Sequence, residues 1–121
     1  MSINNEVGKK TIVPGNLEEI VHLANKVGLD YAAAKKLSDR LELLKPTHRA
    51  RAMEKYDDGH RTEAKIRRLA ETDTDYINFL HQMADAKAET EKLRIRYESY
   101  RNLFEARRSM LSYKKTEMSL V

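Results

Sequence analysis

Apolar positions in the C-terminal part of the chain recur every seven residues. One series reads Tyr76, Met83, Thr90, Tyr97, Phe104, Leu111 and Met118. The second, three residues on, reads Phe79, Ala86, Leu93 and Tyr100. No Pro or Gly interrupts the span from Asp73 to Met118. The pattern predicts one helix over 74–117, on the order of 68 Å long at about 1.5 Å per residue. A heptad seam needs a helical partner. Thr90 sits in the first series, and the second runs into Arg107 and Lys114, so the seam weakens toward the C-terminus. No other predicted helix is long enough to cover it. The expected partner is therefore another subunit, with Phe79, Met83, Leu93, Tyr97, Tyr100 and Phe104 as the oligomerisation residues.

The upstream pattern predicts three shorter helices. Asn16, with Glu19 three residues on, forms a capping-box-like start for a helix over 17–27. Its apolar face is Leu17, Ile20, Val21, Ala24 and Val27, and Gly28 supplies a stop. Asp30 caps a second helix over 31–56, with Ala34, Leu37, Leu41, Leu44 and His48 along one stripe. Pro46 predicts a kink, or a restart capped by Thr47. Asp57-Asp58-Gly59 reads as a turn. A helix over 62–70 carries Ile66 and Leu69. Thr72-Asp73-Thr74-Asp75 reads as a hinge, with Asp73 or Thr74 capping the long helix. Residues 1–15 form an irregular arm punctuated by Gly8, Pro14 and Gly15. The expected fold is all-α: one helical domain over 16–121, short N-terminal helices plus one long C-terminal helix, assembled as a helical oligomer.

Composition narrows the class. The chain has 121 residues, 23 basic and 19 acidic, and no cysteine. Disulfides and thiolate metal sites are excluded. No apolar run approaches a membrane span and the N-terminus resembles no signal peptide, so a soluble, cytoplasmic protein is expected.

The net charge of +4 is unevenly spread. Residues 45–68 are net +4, residues 69–91 net −5 and residues 92–115 net +6. Adjacent acidic and basic blocks disfavour a parallel in-register pairing of long helices and favour an antiparallel or staggered one. The first basic block holds the candidate nucleic-acid-binding residues Lys45, Arg49, Arg51, Lys55, Arg61, Lys65 and Arg68. Arg49 and Arg51 are read as lying on one side of Ala50. Cations along adjoining segments can track a phosphate backbone and gain counterion release. Local pairs of the Glu54–Arg51 and Glu63–Arg67 type would instead mark a solvated face.

Catalytic chemistry has little support. No two of the four histidines share a ligating i, i+4 spacing, and HExxH, GxGxxG, P-loop and GxSxG motifs are absent. Asp57-Asp58-Gly59-His60 lacks the alternating ligands of a calcium loop. No catalytic residue, metal or cofactor is expected. Tyr56 and Tyr113 fall off the seam and are the aromatics freest to meet a ligand.

The order of elements resembles the phage recombination mediators of the UvsY type. The features are an opening helix with Leu17-Glu18-Glu19-Ile20, a second helix ending in the basic-Ala-basic motif Arg49-Ala50-Arg51, a Gly-containing turn, a charged arm and a long C-terminal helix. The ending Glu105-Ala106-Arg107-Arg108-Ser109-Met110-Leu111-Ser112 is similar to a group of uncharacterised phage proteins. The resemblance implies a non-catalytic homo-oligomer, a ring, in the host cytoplasm. It would bind single-stranded DNA through Arg49 and Arg51, contact a recombinase and a single-strand-binding protein, and help load the recombinase. Pro46, just before the motif, departs from the pattern. The rival reading is a coiled-coil adaptor or a phage inhibitor that binds another protein.

Overall fold

The structure, a computed structural model, describes residues 16–119; the expected arm over 1–15 lies outside them. Three helices follow in order: α1 (Leu17–Tyr56), α2 (Glu63–Glu71) and α3 (Thr74–Ser119). No strand occurs among the described residues, so the all-α class holds there. No helix of the described residues is long and apolar enough to cross a membrane.

Capping residues begin all three helices. The Glu19 amide donates to Asn16 Oδ1 at 2.7 Å, and the Lys65 amide to Thr62 Oγ1 at 3.2 Å. The Tyr76 amide donates to Asp73 Oδ2 at 3.1 Å. Each bond satisfies an amide that has no partner within its helix. Between α1 and α2, Gly59 takes φ +80°, the left-handed region open to glycine.

The expected breaks inside α1 do not occur. Gly28, Asp30, Pro46 and Thr47 all lie within one 40-residue helix. A mid-helix glycine costs only about 1 kcal/mol relative to alanine. At Gly28 the missing side chain has a use, since a Cβ there would lie 3.0 Å from Tyr97 Cε1. Pro46 removes the amide that would bond the Glu42 carbonyl. Both residues are exposed, so that carbonyl can bond water instead.

The chain forms two compact units. The first joins the described residues up to Gly28 to those from Arg96 onward. Here α1 and α3 run antiparallel, with Gly28 against Tyr97, Ile20 wholly buried and Val27 nearly so. Tyr97, Tyr100 and Phe104 are half-buried, whereas Leu111 and Met118 are 55% and 77% exposed.

The second unit is Leu29–Ile95. Its centre is Ala52, Ala70 and Tyr76, flanked by Met53 and Leu80. Ile66 of α2 is also buried, and Met83 and Leu93 are buried along α3. The His48 and Phe79 rings stack with centroids 3.8 Å apart. In this unit the buried and half-buried positions of α1 are Tyr31, Ala34, Ser38, Leu41, His48, Arg49, Ala52, Met53 and Tyr56. Leu37 and Leu44 of the expected stripe are 51% and 41% exposed. Thr90 fits the seam because its hydroxyl donates to the Ala86 carbonyl at 2.8 Å.

This burial changes the reading of the seam. Phe79, Met83 and Leu93 are buried within a single chain, so they do not require a second subunit. The unbroken α1 supplies the long partner helix that the sequence reading lacked.

The close contact at Gly28 gives a test. Gly28→Leu gains helix propensity but forces a side chain into the space of the Tyr97 ring. The overpacking penalty, about 1–3 kcal/mol, outweighs the propensity gain of under about 1 kcal/mol. Urea denaturation should show a lower midpoint for Gly28→Leu than for the wild type.

Candidate nucleic-acid interface

The candidate cations sit at the end of α1, in the following turn and on α2. Arg49 and Arg51 do not share a side. Residues two apart on a helix are separated by about 200°, so they face nearly opposite ways. Arg49 lines a groove with Lys45, Pro46, Met53, Glu63 and Arg67. Arg51 lines another with His48, Lys55, Asp73, Asp75 and Tyr76.

Three of the seven candidates are held by the fold. Lys55 Nζ donates to Asp73 Oδ1 at 2.8 Å and to Asp75 Oδ2 at 3.2 Å. These bonds, Asp73 first, raise the Lys55 pKa above its ordinary value. Arg61 Nη1 donates to the Tyr56 carbonyl at 2.8 Å, at the C-terminal end of α1, and its Nε lies 3.7 Å from Asp58 Oδ2. Asp58 Oδ1 also accepts from the His60 and Arg61 amides, which lowers the Asp58 pKa. The Asp57-Asp58-Gly59 turn thus commits these side chains to its own backbone. Arg49 makes a longer, exposed pair with Glu71 at 3.5 Å.

Lys45, Arg51, Lys65 and Arg68 are exposed and make no ion pair among the described residues. Lys65 and Arg68 are three apart on α2, while Ile66 and Ala70 of the same helix are buried. The pattern that buries one stripe of α2 therefore turns these two cations outward. Arg67 was not a sequence candidate, yet it lines the Arg49 groove and pairs with Glu63 at 3.2 Å. Its place in the basic run, four residues after Glu63, is the signal that marks it. No Glu54–Arg51 pair occurs among the described residues.

Tyr56 is not free for a ligand. Its hydroxyl donates to Asp73 Oδ1 at 2.8 Å, and that bond raises the Tyr56 pKa. Asp73, 4% exposed, therefore accepts from Lys55, Tyr56 and the Tyr76 amide. Its pKa falls from the ordinary 3.8 to about 2, chiefly through the Lys55 bond. Tyr113 remains 70% exposed.

The C-terminal basic block lies mostly in the other unit. There Arg107 and Lys114 border a groove with Leu17, Met110 and Leu111, and Arg108 pairs with Glu105 at 3.2 Å. The Arg101 guanidinium lies 5.8 Å from the centroid of the Tyr97 ring.

No family model, curated protein or solved structure matches this chain.

The Asp73 bonds carry a pH signature. The folded carboxyl is the stronger acid, so its stabilisation is complete above about pH 4 and lost as pH falls toward 2. Between those values the wild-type Tm should fall more steeply than that of Asp73→Asn, as followed by circular dichroism. At pH 7 Lys55→Ala should lower Tm on the order of 5 °C or more, while Lys65→Ala leaves it within about 2 °C.

Proposed function

We propose that the chain binds single-stranded DNA without sequence preference and serves homologous recombination as a non-catalytic mediator that helps load a recombinase. The observation that carries the reading is the set Lys45, Arg51, Lys65 and Arg68, exposed and without ion pairs among the described residues. Polyanion binding at these positions need break no internal pair. Arg49 and Arg67, which share a groove with Lys45, add to its side once their exposed glutamate partners are displaced, since such pairs are worth only about 0–1 kcal/mol. Lys55 and Arg61 hold the corner between helices and leave the proposed site. The likeness in element order to the phage mediators supports the assignment. Contacts with a recombinase and a single-strand-binding protein belong to the same proposal.

Fluorescence anisotropy with labelled oligo-dT across a salt series tests it. Log affinity should fall linearly with log salt, because phosphate contacts dominate. The double variant Lys65→Ala, Arg68→Ala should weaken binding and reduce the salt slope by about 1.4, the loss of two phosphate contacts on a single strand. Arg107→Ala with Arg108→Ala is the control and should change little. A larger loss in the control would move the site to the C-terminal block. If the wild type shows no salt-dependent binding at low salt, the adaptor or inhibitor reading replaces this one.

A further inference from the structure

The groove that Arg49 shares with Lys45 and Arg67 lies wholly within the unit Leu29–Ile95. One wall is the end of α1 and the other is α2. Three cations, Lys45, Arg49 and Arg67, stand in it against one carboxylate, Glu63. Its apolar surface is Pro46, Ala50 and Met53. These three share one side of α1, because steps of three and four residues return to the same face. Met53 is half-buried and packs against the core of Ala52, Ala70 and Tyr76, which holds it in place. Pro46 and Ala50 are exposed. The space, about 570 Å³, is within the range of small-molecule sites.

Cations alone do not select single strands. Duplex DNA carries the denser charge, so a purely electrostatic surface holds it at least as well. An apolar groove does select, because only an unpaired base can leave its stack and lie in it. We propose that this groove seats one unpaired base of a single strand, its face on Pro46, Ala50 and Met53, with Lys45, Arg49 and Arg67 on the flanking phosphates. The inference rests on the nucleic-acid reading above and gives it a source of preference for single strands. Arg49 and Arg67 come free when their exposed pairs with Glu71 and Glu63 open. Their planar guanidiniums bond a phosphate through two donors or lie over the base. Ala50 carries the smallest side chain of the lining, so a longer one at this position takes the room of the base.

Ala50→Gln tests this. The position is exposed and glutamine is a good helix former, so far-ultraviolet circular dichroism and Tm should stay as in the wild type. Fluorescence anisotropy compares three labelled probes of equal length: oligo-dT, an abasic strand on the same sugar-phosphate backbone, and a duplex. The wild type should bind oligo-dT about fivefold or more tightly than the abasic strand, from burial of one base face. Ala50→Gln should bring that ratio close to one. It should shift the balance between oligo-dT and duplex toward duplex by the same factor. Its salt slope on oligo-dT should match the wild type, since no phosphate contact is removed. Two results would overturn the proposal. One is a wild type that binds the abasic strand as tightly as oligo-dT. The other is an Ala50→Gln variant that keeps the wild-type ratio. Either would leave salt-dependent binding by the wild type, and with it the function proposed above, standing. Absence of salt-dependent binding to all three probes would overturn both.

Discussion

One buried carboxylate joins the end of α1 to the start of α3. Asp73 accepts from Lys55 and Tyr56, the last two residues of α1, and from the Tyr76 amide in the first turn of α3. The same residue thus caps one helix and anchors another. A nearly buried charge is tolerable only when its hydrogen-bonding capacity is filled, and here three donors fill it. This requirement sets which aspartate of the Thr-Asp-Thr-Asp hinge turns inward: Asp75 stays exposed and takes only a second bond from Lys55. Tyr76, next to the cap in the same turn, then enters the small core with Ala52 and Ala70.

That corner also separates structural from available charge. Lys55 and Arg61 look like their neighbours in sequence, since all are cations in one basic run. Geometry divides them. Lys55 faces two carboxylates, and Arg61 folds back onto the Tyr56 carbonyl. Lys65 and Arg68 point outward because Ile66 and Ala70 turn inward. What a basic run offers a polyanion is the remainder after the fold has taken what it needs.

Features governed by local chemistry were legible in the sequence. The caps at Asn16 and Asp73, the Gly59 turn and the end of α1 at Tyr56 all follow from side chains bonding backbone a few residues away. The misreadings came from packing that local rules cannot see. On propensity Gly28 and Pro46 read as breaks, but tertiary contact carries α1 through the first and solvent exposure makes the second tolerable. With α1 read as two helices, no other helix is long enough to cover the seam of α3, and the sequence therefore points to a second subunit, whereas Phe79, Met83 and Leu93 are already buried within one chain. Placing Arg49 and Arg51 on one side was a different fault, since the helical period itself separates them. The loss of Lys55 and Tyr56 as candidates needed the position of Asp73, which lies 18 and 17 residues away in sequence.

The contact between Gly28 and Tyr97 has a consequence for descent. The two positions are far apart in the chain but adjacent in space, with the ring 3.0 Å from where a Cβ would stand. Relatives that diverge at one position are constrained at the other. A residue with a side chain at 28 calls for a smaller or displaced residue at 97, and a ring kept in place at 97 favours glycine at 28. In sequences too divergent for overall comparison, this linked pair would still record that the start of α1 lies against the second half of α3.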